Sequence, residues 1–150
     1  MGEVIGENWR QPVQAPMDAG TYYEGELMKA SSTVGQLQIS TDKGDTIIAV
    51  VDEPTVDSRG DAVAVTAGKR IAVWRIGCGA TVWVKSLTGV AYSAGDMVYA
   101  DDTNGQCSKT ATTSRPIGHF PHFGFKARTT ASAGELIPVT LDVPIGTANV

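Results

Sequence analysis

Turn residues divide residues 92–143, YSAGDMVYADDTNGQCSKTATTSRPIGHFPHFGFKARTTASAGELIPVTLDV, into pieces too short for anything but strands. Signals such as Gly95-Asp96, Asn104-Gly105 and Pro116 arrive about every eight to twelve residues, the spacing of a sandwich or small barrel. Asn-Gly between two strand-like runs, here residues 96–100 and 106–110, is the strongest short-range hairpin signal. Seventeen glycines, seven prolines and only 19% charged residues argue against a helical bundle, which needs long runs of Ala, Glu, Lys and Leu. The expected fold is all-β: a single-domain β-sandwich or small β-barrel with an extended N-terminal arm and at most one short helix. Its 150 residues suffice to bury a core without staples.

Upstream, strands are expected over residues 22–28, 34–40, 46–51, 61–66, 69–76 and 80–85. Ile47-Ile48-Ala49-Val50-Val51 is apolar throughout, which suits a strand covered on both faces. Residues 52–60 read as a loop or short helical turn, because Pro54 suits a first helical position and Gly60 a stop. Over 80–85 the alternation puts Val82 and Val84 on one face and Thr81, Trp83 and Lys85 on the other. Trp83 therefore points away from the core that the valines cover. Residues 116–125 and 135–143 supply the last strands. Residues 1–20, with Pro12, Pro16 and a lone Trp9, show no periodicity and read as an arm pre-biased to an extended path. The organisation is thus an arm (1–20), an all-β body (21–143) and a short tail (144–150).

The net charge of −4 supplies no field for binding nucleic-acid phosphates. The first residues lack a secretory pattern, and the longest apolar run falls far short of the roughly 20 residues that span a bilayer. A soluble chain made in the cytoplasm is expected, with no membrane partner. Cys78 and Cys107 read as buried thiols or as one disulfide. His119 and His122 are the only histidines, and a spacing of three sends strand side chains to opposite faces unless Pro121 breaks the register. No metal site is expected there. Asp101-Asp102-Thr103-Asn104-Gly105 lacks the donor spacing of a calcium loop and reads as turn chemistry. Arg59-Gly60-Asp61 matches the tripeptide read by integrins, but a chain with no secretion signal has no evident access to such receptors, and it is set aside. No nucleophile elbow, zinc-protease helix or phosphate-cradling loop is present, so catalysis and cofactors are not expected.

Ser93-Ala94-Gly95-Asp96-Met97-Val98-Tyr99, then Arg115-Pro116-Ile117-Gly118, then Glu135-Leu136-Ile137-Pro138-Val139-Thr140-Leu141, follow in the order seen in small capsid decoration, or cement, proteins of tailed phages. The chain resembles that family over about residues 20–143. The resemblance implies a structural virion protein, a homotrimer on the outer surface of an icosahedral head, that bridges neighbouring major capsid protein subunits. It brings no transferable site residues, so candidates come from the chain itself. Val4, Ile5, Trp9, Pro12 and Val13 are the capsid-binding candidates of the arm, with Trp9 as anchor. Trp74, Trp83, Phe120, Phe123 and Phe125 are the candidates for contacts between copies. The alternative is a carbohydrate-binding or tail-fibre module in which Trp9, Trp74, Trp83 and Tyr92 stack on sugar rings. A third reading, a small β-barrel hydrolase without familiar motifs, is the weakest.

Overall fold

A computed structural model describes residues 11–111 and 116–143; every described segment is strand, turn or loop, and none is helical. Five strands, β1 (Val13–Pro16), β2 (Leu27–Ala30), β3 (Leu37–Ile39), β4 (Ala49–Val51) and β5 (Arg70–Arg75), form an antiparallel sheet in the order β1-β5-β4-β2-β3. Two short strands, β7 (Ala91–Tyr92) and β11 (Arg128–Thr129), pair with each other. The remaining five are β6 (Thr81–Ser86), β8 (Met97–Ala100), β9 (Cys107–Ser108), β10 (Pro116–His119) and β12 (Glu135–Thr140). They close into a barrel in the order β10-β12-β6-β9-β8. The all-β expectation holds, and of its two forms the barrel is realised.

Side-chain alternation explains how sheet and barrel share one body. Leu27 and Val50 pair across β2 and β4 and join the barrel core with Val84, Ile117, Phe120 and Ile137. Their neighbours Met28, Ala49 and Val51 face the other way, into a second core with Met17, Tyr22 and Val73. β4 is apolar at every position because each of its two faces lines a different core, as the unbroken apolar run implied. Backbone bonds reinforce the junction. The tip of the β8–β9 hairpin is drawn into the sheet, where Gly105 donates its N–H to the Ser40 carbonyl (2.9 Å) and accepts from the Leu27 N–H (2.9 Å).

β6 and β12 pair in register over six residues, from Glu135 opposite Ser86 to Thr140 opposite Thr81. Val82 and Val84 point inward and Thr81 and Trp83 outward, as read from the alternation. At Gly118 the neighbouring strand comes so close that an added methyl would run into the Thr140 carbonyl oxygen. Closure of the barrel on this side therefore requires glycine.

Four expectations need correction. Residues 13–17 belong to the body: Val13 pairs with Val73 in β1, Met17 is wholly buried, and the Asp18 N–H donates to the Leu37 carbonyl (2.9 Å). Their extended path is used as a sheet edge, so any free arm ends before Val13; residues 1–10 and 144–150 lie outside the described residues. β2 begins later than expected because residues 22–26 turn, with the Tyr23 N–H held by Glu26 Oε1 at 2.6 Å. Residues 52–69 form a long loop in which the expected strand at 61–66 contributes only single bridges, Val56–Ala62 and Gly20–Val65. The strand expected over 116–125 stops at His119, since Pro121 has no N–H to extend the ladder.

Candidate functional site

The outer wall of the barrel carries the chain's exposed aromatic surface. Met97, His119, Thr140 and Thr81 lie in one row across β8, β10, β12 and β6, each opposite the next in register. Two residues along β6, and so on the same face, Trp83 stands 44% exposed. The segment after β10 returns over this wall and sets Phe125, 42% exposed, edge-on to Trp83 with ring centroids 6.0 Å apart. Phe123, two residues earlier in the same loop, is 89% exposed. Such edge-to-face pairs contribute about 0.5–1.5 kcal/mol beyond area burial, which fixes the two rings while leaving their outer surfaces to solvent. Lys85 continues the face, its Nζ 4.6 Å above the Tyr23 ring and 3.7 Å from Glu26 Oε2.

Of the candidates named from sequence, Trp83 and Phe125 are brought together, while Phe123 stands exposed two residues before Phe125 with its ring beside that of His122 (centroids 6.5 Å). Phe120 is not among them: fully buried, it stacks on Tyr92 (centroids 5.9 Å, interplanar 13°) inside the barrel, so it supports the core. Phe120 directly follows His119, which lies in the outward row, and strand alternation therefore turns it inward. Trp74 is half-buried, and its Nε1 donates to Asp52 Oδ1 at 2.7 Å. It lines, with Trp83, Glu24 and Asp52, a shallow cleft of about 110 Å³ between sheet and barrel. Of the arm candidates, Val13 is bound within β1 and Pro12 is exposed, while Val4, Ile5 and Trp9 lie outside the described residues. Sequence reading missed Met97 and Tyr23, both exposed on this side of the molecule or at its rim. The signal was available for Met97, which starts a strand whose next residues are all buried.

The chemistry of the interior is inert. The Tyr92 hydroxyl lies 2.7 Å from Ser86 Oγ and 3.7 Å from Cys107 Sγ, and burial raises its pKa. Burial likewise pushes the Cys107 thiol up to about 12, so it stays protonated and unreactive at neutral pH. Both cysteines are buried and unpaired. Burial also raises Glu26, against the opposing pull of the Tyr23 N–H and Lys85.

The break at Pro121 does bring His119 and His122 together, with ring centroids 5.0 Å apart, and Asp142 Oδ1 lies 2.9 Å from His119 Nδ1. Among the described residues, no group of three or more His, Cys, Asp or Glu is arranged to hold a metal. The acidic turn is occupied by its own chain: Asp101 accepts from the Asp102 N–H (2.7 Å) and Ser108 Oγ (2.8 Å), and Asp102 from the Lys43 N–H (3.0 Å). A groove of about 200 Å³ beside β5 is lined by Gln14, Glu53, Thr55, Lys69 and Arg70 and, like the smaller cleft, by no histidine or cysteine. Tyr92, proposed as a sugar-stacking ring, is in the core.

What the molecule offers is a closed, rigid wall with an aromatic surface. Residues 32–141 match the family described as phage cement protein, a span that runs from before β3 to the end of β12. The chain belongs to that family. No curated protein matches it. Membership makes the chain a structural component of the phage virion, associated with the capsid and serving its stabilisation, in a family that is not one of enzymes. The match starts after β1 and β2, although both are integral to the sheet on which the matched strands pack.

Proposed function

We propose that this cement-family chain binds the outer surface of an icosahedral capsid and ties neighbouring major capsid protein subunits together. It acts as a homotrimer whose copies meet through Trp83, Phe123 and Phe125. The observation that carries this reading is the Trp83–Phe125 pair, an ordered aromatic surface held open on the most regular part of the fold. Large aromatic rings on rigid elements lose little entropy on binding and dominate interface energetics. The acidic balance supports an outside position, away from packaged nucleic acid. The segment up to Pro12 precedes the edge strand β1 in the chain and is the proposed capsid-docking element, with Val4, Ile5 and Trp9 as its apolar contacts. Three linked copies raise the effective concentration of each contact, so modest single interactions sum to strong reinforcement.

Two variants separate these contacts. Removing residues 2–11 spares Val13, whose pairing with Val73 the sheet needs, and should leave the purified protein a trimer by sedimentation while abolishing co-sedimentation with phage heads. Trp83→Ser combined with Phe123→Ser should yield a folded monomer. A wild-type protein that sediments as a monomer, or a truncated one that binds heads fully, contradicts the respective half of the proposal.

A further inference from the structure

The β8–β9 hairpin turns through Asn104-Gly105, and the glycine of that pair fastens the barrel to the sheet. Its N–H donates to the Ser40 carbonyl (2.9 Å), and its carbonyl accepts the Leu27 N–H (2.9 Å). Gly105 is buried, takes φ +68°, and lies so close to Glu26 and Ile39 that an added methyl would come within 3.2 Å of each. The turn closes locally through the Gln106 N–H on the Thr103 carbonyl (3.0 Å). Beside it Asp102 clasps the neighbouring turn, taking the Lys43 N–H (3.0 Å) on one oxygen and the Lys43 ammonium (3.2 Å) on the other. Asn104 stands apart from these contacts: it is exposed, and its side chain makes no hydrogen bond among the described residues.

An asparagine followed by glycine carries its own reaction. The glycine nitrogen, once it loses its proton, attacks the asparagine Cγ; a C–N bond forms, ammonia leaves, and water opens the resulting succinimide at either carbonyl to give aspartate or isoaspartate. Glycine has no Cβ to hinder the attack, and water is the only reagent consumed. In the folded chain both requirements are withheld. The proton is held in the 2.9 Å bond to Ser40, and ring closure needs rotation of the peptide plane that carries this N–H. The free amide of Asn104 is therefore idle until the tip leaves the sheet, an excursion of the local-opening kind.

We propose that Asn104 is a modification site gated by the junction of sheet and barrel: it deamidates only from the state in which Gly105 has detached from Ser40 and Leu27, and its isoaspartate product cannot refasten. Isoaspartate routes the main chain through the former side chain, one carbon longer, so Gly105 no longer meets two fixed partners at once. The reaction thus makes a reversible opening permanent. The inference is independent of the capsid-docking reading, because it needs no contact from Trp83, Phe123, Phe125 or residues 1–12.

The test incubates the full-length protein at mildly alkaline pH and follows the peptide containing Asn104 by mass spectrometry. Isoaspartate is separated from aspartate by chromatography, and the same chain in concentrated urea is the unfolded reference. Native conversion should be at least about tenfold slower than in urea, by the same factor that slows hydrogen exchange at the Gly105 amide. Asp102→Ala, which releases the clasp on Lys43, and Ile39→Ala, which loosens the packing beside Gly105, should each speed native conversion and leave the rate in urea unchanged. Purified isoaspartate protein should melt below wild type, whereas Asn104→Asp, whose main chain has its normal length, should melt with it. Conversion as fast in the native protein as in urea, or native rates that neither variant changes, overturns the proposal. So does an isoaspartate form that melts with wild type.

Discussion

The barrel and the N-terminal sheet are built from the same number of strands, but they finish differently. The barrel closes through strand pairing all the way round, so it has no free edge, and its outer wall can carry Trp83, Phe123 and Phe125 without inviting strand addition. The sheet curls until its edge strands meet at a single bridge, Met17 to Leu37, and is interrupted by the long loop 52–69. The difference sets a closed wall against an open-edged half that carries β1 and the long exposed loop. They are not independent units, because Leu27 and Val50 of the sheet lie in the barrel core.

That comparison breaks most readily in the core. Phe120→Ala removes a wholly buried ring stacked on Tyr92 and should cost about 3–5 kcal/mol. Met17→Ala in the second core should cost about 2–5 kcal/mol. Because the cores share strands, each variant should lower one cooperative melting transition; two separate transitions by calorimetry would show the halves to be autonomous. Gly118→Ala, which drives a methyl against the Thr140 carbonyl, should destabilise by about 3 kcal/mol, read as a shift of the urea midpoint.

At the junction the effects are smaller and depend on pH. Glu26→Ala leaves the Tyr23 N–H without its 2.6 Å partner and should cost about 1–3 kcal/mol. Glu26→Gln keeps an accepting oxygen and removes a buried charge. Burial raises Glu26 in the folded state, so the native protein takes up its proton more readily than the unfolded chain. Its stabilising contribution is complete below the ordinary value of about 4.5 and is lost as pH rises through the folded value. Wild type should therefore gain on Glu26→Gln as pH falls from 7 to 4; a gap that stays constant with pH contradicts this. Smallest of all, Phe123→Ala should change stability by no more than about 0.5 kcal/mol, as expected for a ring that packs little on its own chain.

The legibility of the sequence follows the same division. Where alternation was strict, as in Thr81 to Ser86, the inward valines and the outward Trp83 were readable before any coordinates. The unbroken run ending in Ala49-Val50-Val51 announced a strand with two covered faces. Local pattern was silent about which distant edge an extended segment joins, so Val13–Pro16 read as an arm although β5 captures it. Phe120 was misplaced because its face depends on the register of β10 against β8 and β12, which shifts between Pro116 and Gly118 and leaves no local signal. The proximity of His119 and His122 comes from the end of the strand before Pro121.

The account stands on the aromatic wall acting between molecules rather than within one. The direct measurement is saturation binding of purified protein to DNA-filled heads by co-sedimentation, wild type against the Trp83→Ser/Phe123→Ser pair, with matched melting curves as the fold control. The account predicts saturable wild-type binding and at least about tenfold weaker binding by the folded double variant, as the linkage between copies is lost. Equal binding by the two proteins would contradict it.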